Sequence, residues 1–221
     1  FCFLAGAMIT VSATAVGIPF DMPMPAIDDI YPNSTAFIII VLAVGAVIAV
    51  VASLGYETVA RFANIASPWM VAVFIACGLV ALKQLGVSDW AGLEAVWTQS
   101  IVTAQGGEAT AKMGFWSVMF FAWFCNAAMH VGMADLSVFR FAKKASYGWA
   151  SSAGMYVGHF MAWISAALML AAQIKLNGDT NPVPGPMAFN VVGLAGIVCV
   201  IVAGWTTANP TIYRAGLAFQ A

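Results

Sequence analysis

Six apolar stretches of near-spanning length follow one another along this chain: Phe1–Phe20, Thr35–Leu54, Ala66–Leu82, Gly114–Val131, Trp149–Ala172 and Met187–Trp205. A helix needs roughly 20 residues to cross about 30 Å of hydrocarbon. Lipid offers no partner for backbone N–H and C=O groups, so a crossing segment must be a helix or part of a closed barrel. Runs of this length without strict alternation read as helices. Apolar residues make up 62% of the chain and charged residues 8%. The expected architecture is an all-α integral membrane bundle, one membrane domain over 1–221. Its spans are expected near 1–20, 35–54, 66–82, 114–142 (broken), 149–172 and 187–208.

Six crossings divide the charges between two sides. One side holds Arg61, Arg140, Lys143, Lys144 and Arg214 with Glu57 and Asp135. The other holds Lys83, Lys112 and Lys175 with Asp21, Asp28, Asp29, Asp89, Glu94, Glu108 and Asp179. Lys and Arg near span ends favour the cytoplasm, which assigns the first side to it. The expected location is the cell membrane, with several passes through it, and nothing in the charge pattern points to nucleic acid. The chain opens at Phe1, already inside an apolar run, and reads as an internal part of a longer membrane protein. Cys2, Cys77, Cys125 and Cys199 all lie in apolar runs without metal-ligand spacing, so they read as small packing residues.

The connections differ in character. Asp21–Ser34 is rich in Pro and Asp and reads as an outer turn region, whereas Gly55–Asn64 reads as a tight cytoplasmic link. Within the long connection Gln84–Met113, Ser88–Thr103 fits an amphipathic helix on the outer interface, anchored by Trp90 and Trp97. Lys175–Pro186 is a loop of Gly, Asn and Pro.

Two spans carry polar groups at membrane depth. Asn126, His130, Gly132 and Asp135 interrupt the fourth, which as one straight helix over Gly114–Ala142 would be about 43 Å long. A break near Trp123–Gly132 would expose backbone groups of the kind that form midplane sites in transporters. The alternative is a long tilted helix that emerges at Asp135, with that carboxylate paired to Arg140 or Lys144. The sixth ends Ala203-Gly204-Trp205-Thr206-Thr207-Ala208-Asn209-Pro210. Ala203, Thr206 and Thr207 share one face by helical spacing, and their oxygens make half of a small hard-cation site. Alternatively, each threonine bonds back to a carbonyl one turn earlier. Pro210 lacks an N–H, so the Thr206 carbonyl loses its usual partner and a kink is expected.

Several segments together resemble the nucleobase–cation symporter-1 family, transporters of cytosine, purines, allantoin and hydantoins. Gly55-Tyr56-Glu57 followed by Ala63-Asn64-Ile65-Ala66-Ser67-Pro68 is similar to that family's link between its fourth and fifth helices. Phe139-Arg140-Phe141-Ala142-Lys143-Lys144 is similar to the basic motif that closes its sixth. Ala203-x-Trp205-Thr206-Thr207 resembles the cation-site stretch of its eighth. The resemblance implies a LeuT-type inverted-repeat bundle, of which this chain would supply the third to eighth helices. It also implies a sodium ion held by Ala203, Thr206 and Thr207 against the first helix, which lies outside this sequence.

For a planar heterocycle, Trp123 offers a stacking face and Asn126, three residues on, an amide to read the ring edge. Trp123 has packing against helices or lipid as its alternative role. Asn209 is the candidate for the asparagine with which relatives bind the ring from their eighth helix. His130 and His159 would relay protons or serve as interhelical hydrogen-bond partners. No catalytic cluster and no cofactor is expected; sodium or a proton is the coupling ion. The expected function is secondary active symport of a nucleobase-like heterocycle. The alternatives are a LeuT-fold symporter of amino-acid-like substrates and a non-transporting membrane subunit.

Overall fold

The computed structural model describes residues 2–25, 29, 34–104, 115–120, 139–180 and 182–220. Helix α1 is Cys2–Val16, followed by a short 3-10 turn, Ile18–Phe20. Helices α2 (Thr35–Ser53), α3 (Tyr56–Leu85) and α4 (Trp90–Ala104) come next. After them come α5 (Tyr147–Asn177), α6 (Pro184–Val192) and α7 (Leu194–Gln220). No strand occurs among the described residues. Four helices, α2, α3, α5 and α7, are long and apolar enough to cross a membrane. The chain therefore has the build of an all-α membrane protein.

The helix ends follow local chemistry. Ser34 caps α2, its hydroxyl accepting from the Phe37 N–H at 3.1 Å. Asp89 caps α4, its carboxylate accepting from the Gly92 N–H at 2.7 Å. The expected interfacial helix over Ser88–Thr103 thus takes form as Trp90–Ala104. In the first span, expected over 1–20, the α-helix stops at Val16 and gives way to the 3-10 turn, because Pro19 has no N–H to donate to the Ala15 carbonyl.

Two other expectations change. Gly55–Asn64 is not a link. Gly55, at φ 92°, makes the turn and α3 begins at Tyr56. Val59 continues the buried stripe of Ala66, Val73, Cys77, Ala81 and Leu85, so the first turns are held by the same packing as the rest. The helix runs through Pro68 without ending. Likewise, 187–208 is not one helix. The chain turns at Gly193 (φ 64°, ψ −140°), backbone that L side chains rarely adopt, and α7 restarts at Leu194. Of the fourth span, expected over 114–142, residues 115–120 are helical and 121–138 lie outside the described residues.

Helix α7 is the hub, packing on α1 most extensively and also on α2, α3 and α6. Ala13 of α1, Phe37, Ile40, Val44 and Ile48 of α2, and Ala208 of α7 form one core. Val73, Cys77, Ala81 and Leu85 of α3 meet Leu168, Met169 and Ala172 of α5 and Cys199 of α7 in another. At the end where α3 and α5 finish, polar groups tie the helices together. Lys175 Nζ donates to the Leu85 carbonyl at 2.7 Å. Buried Gln173 accepts at Oε1 from Asn177 (2.7 Å) and from Asn190 of α6 (3.2 Å).

Candidate functional site

The candidate residues that the structure describes converge on the middle of α7. Both threonine hydroxyls donate to one acceptor, the Ala203 carbonyl, Thr206 at 2.9 Å and Thr207 at 3.3 Å. Thr206 Oγ1 also lies 3.7 Å from Met70 Sδ of α3. Three oxygens are therefore gathered within one helical turn. In this arrangement the threonines bond back to the preceding turn. A hydroxyl that donates one bond keeps its lone pairs. For all three oxygens to face a cation, both hydroxyl hydrogens must turn away from Ala203 O. That rotation gives up two bonds, each with a net value of about 1 kcal/mol.

One turn further on lies Asn209. It is fully buried, and among the described residues neither its side-chain oxygen nor its nitrogen has a hydrogen-bond partner. A buried amide left unmatched costs about 1–3 kcal/mol per group, so such residues call for an explanation. Trp205 Nε1, four residues earlier, is a second buried donor without a partner among the described residues. Helical spacing puts Trp205, Asn209 and Tyr213 in one row. The row faces α3, since the Trp205 ring lies 5.8 Å from Phe62 and Tyr213 lies 6.5 Å from Tyr56. Helix α7 continues through Pro210, which has no N–H for the Thr206 carbonyl. Thr211 uses the next carbonyl, donating to Thr207 O at 2.6 Å.

The structure thus brings Ala203, Thr206, Thr207 and Asn209 onto adjoining turns of one helix. Trp123, Asn126, His130 and Asp135 lie outside the described residues. His159 is on an exposed stretch of α5, its ring stacked on Trp163 at 6.0 Å and 10°. Sequence reasoning missed Trp205 as a polar group of this site. The available signal was its place four residues before Asn209, on the same face of the helix.

At the end of the bundle where α3 starts, Phe141 of the basic segment stacks on Tyr56 at 4.3 Å between ring centroids. Arg140 lies over the Phe141 ring at 4.7 Å. The segment 139–144 is thereby seated on the start of α3, near Tyr213 of α7.

No family model, no curated protein and no solved structure matches the chain. The chain is an all-helical bundle with four helices long and apolar enough to cross a membrane, and inside it Asn209 and Trp205 carry polar atoms unmatched among the described residues.

Proposed function

We propose that this chain is part of a secondary active symporter that moves a planar, hydrogen-bonding heterocycle of the nucleobase type across the cell membrane with sodium. The observation that carries the reading is Asn209. A fully buried amide with both polar atoms unmatched is costly, and a bound ring with donor and acceptor edges would satisfy both atoms at once. Trp205 Nε1 adds a donor beside it. The Ala203, Thr206 and Thr207 oxygens, one turn away, supply part of a hard-cation site. Adjacent cation and substrate sites are what coupling requires. The resemblance to nucleobase–cation symporters supports the same reading; Trp123 would stack on the ring, and Asn126, three residues on, would read its edge.

Neither side of the membrane reaches Asn209 in this conformation, because its side chain is completely covered. Transport would then open the α7–α3 contact by small rigid-body movements of packed helices. Sodium would favour the conformation in which the hydroxyls turn toward it, and a ligand shifts such an equilibrium only by its differential affinity.

Equilibrium binding of labelled nucleobases and hydantoins to the full-length protein, with sodium and with choline in its place, tests the proposal. Saturable binding of at least one ring compound, tightened by sodium, is the expected result. Absence of binding for all of them in both salts overturns the proposal. Binding that depends on pH and not on sodium would replace sodium by a proton.

A further inference from the structure

A cavity lies away from the α7 row, between α4 and α5. It has a volume of about 630 Å³ and is walled by Trp90, Leu93 and Glu94 of α4 and by Phe160, Trp163 and Ile164 of α5. That volume is within the range of about 300–1,000 Å³ that ligand pockets occupy. Its walls are held in place from behind. Leu93 and Val96 of α4 pack against the core formed by α3, α5 and α7, and Leu168 at the cavity's edge belongs to that core. The N-terminus of α4 is fixed by the Asp89 cap. The groove is therefore built into the packing of α4 on α5.

The lining has a definite chemistry. Three aromatic side chains present wide surfaces, Trp90 at 78%, Phe160 at 68% and Trp163 at 55% exposure. Among the described residues of the lining, Glu94 is the one carboxylate. Among the described residues Glu94 makes no ion pair. An aromatic face attracts an ammonium group through its quadrupole, and a carboxylate attracts it through charge. The same carboxylate repels an anion. The aliphatic and aromatic walls suit a hydrocarbon tail.

We propose that this groove binds amphiphilic organic cations, with the ammonium group beside Glu94 and against the tryptophan rings and the apolar tail along α5. The site is independent of the proposed transport function, since it uses no residue of α7.

The test titrates the full-length protein in dodecyl maltoside with decyltrimethylammonium and, separately, with decyl sulfate. Partition into empty micelles is subtracted. The cation should bind saturably and the anion should not. Glu94→Gln should weaken cation binding by about fivefold, the upper end for an exposed ion pair. Ala167→Trp, on the α5 wall, should abolish it by filling the groove, with its size-exclusion profile confirming the fold. Equal cation affinity in the parent and Glu94→Gln overturns the proposal, as does equal binding of the anion. A phospholipid that stays bound through purification in both the parent and Glu94→Gln, and that the cation does not displace, also overturns it; a bilayer lipid would then be the occupant.

Discussion

Ser12 of α1 donates its hydroxyl to the Ile201 carbonyl of α7 at 3.1 Å, and a side-chain carbon on Gly204 would collide with that same hydroxyl. The contact sets the distance between the two most extensively packed helices. In lipid, helices associate through close backbone approach and interhelical hydrogen bonds, because tails compete for ordinary apolar contact. Gly204 provides the approach and buried Ser12 the bond. The crossing lies directly beside Ala203 and Trp205, so it also fixes the height of the candidate site.

Gly204→Ala should therefore loosen the bundle. Its Cβ would meet Ser12 Oγ and the Met8 carbonyl, and backbone cannot rotate aside. Overpacking costs typically about 1–3 kcal/mol. Thermal unfolding of the purified full-length protein should show a lowered midpoint. Ser12→Ala, which removes the colliding hydroxyl, should restore part of the loss in the double variant.

Asn209→Leu separates stability from function. Leucine fills similar space and removes two unmatched polar atoms, so the variant should be as stable as the parent or more so, by up to about 1–3 kcal/mol. Ring binding should be lost. Chemical unfolding and ligand titration on one preparation check both. A marked fall in stability would show that the amide has a structural partner in the folded bundle.

Thr206→Val and Thr207→Val keep shape and remove the oxygens. Each variant should weaken the sodium dependence of substrate binding. By linkage, sodium and substrate raise each other's affinity by the same factor, typically about 5–150-fold for coupled sites. Substrate affinity measured across sodium concentrations at fixed pH gives that factor. A factor unchanged from the parent in both variants would leave the hydroxyls as bonds to Ala203 O alone.

Gln173→Leu should free α6. The substitution removes the oxygen that accepts from both Asn177 and Asn190 and leaves two amide groups without it. Asn177 and Asn190 are exposed and can turn to solvent, so the expected cost is the net value of the lost bonds, about 1 kcal/mol each. Hydrogen exchange over 184–192 should quicken, while exchange in the middle of α3 should not change.

Several parts of this account are legible in the sequence because they depend on neighbours along the chain. The caps at Ser34 and Asp89 are of this kind, as is the grouping of Ala203, Thr206 and Thr207 on one face. The bonding of both threonines to a carbonyl one turn back follows from helix geometry and was one of two readings open from the residues alone. The apolar runs themselves fix an all-helical build, since lipid leaves the backbone no other partner.

Sidedness of burial is different. In α2, Phe37, Ile40, Val44, Ile48 and Ala52 are buried while Ile38, Ile39, Leu42, Val47 and Val50 are exposed, yet both faces are apolar. A water-soluble helix shows its core face by contrast with polar residues, and a membrane helix has lost that contrast. Only packing distinguishes the faces. The same holds for Gly193, one glycine among many in apolar runs, whose positive φ divides 187–208 into two helices. It holds most of all for Asn209 and Trp205. Their residue types and spacing are local facts, but burial without a partner among the described residues arises only when the neighbouring helices pack around α7, because satisfaction of a polar group depends on atoms distant in sequence. The sequence determined an all-helical build, with helices long and apolar enough to cross a membrane, and where its oxygens repeat; tertiary packing decided which of those polar groups are buried, because burial depends on residues distant along the chain.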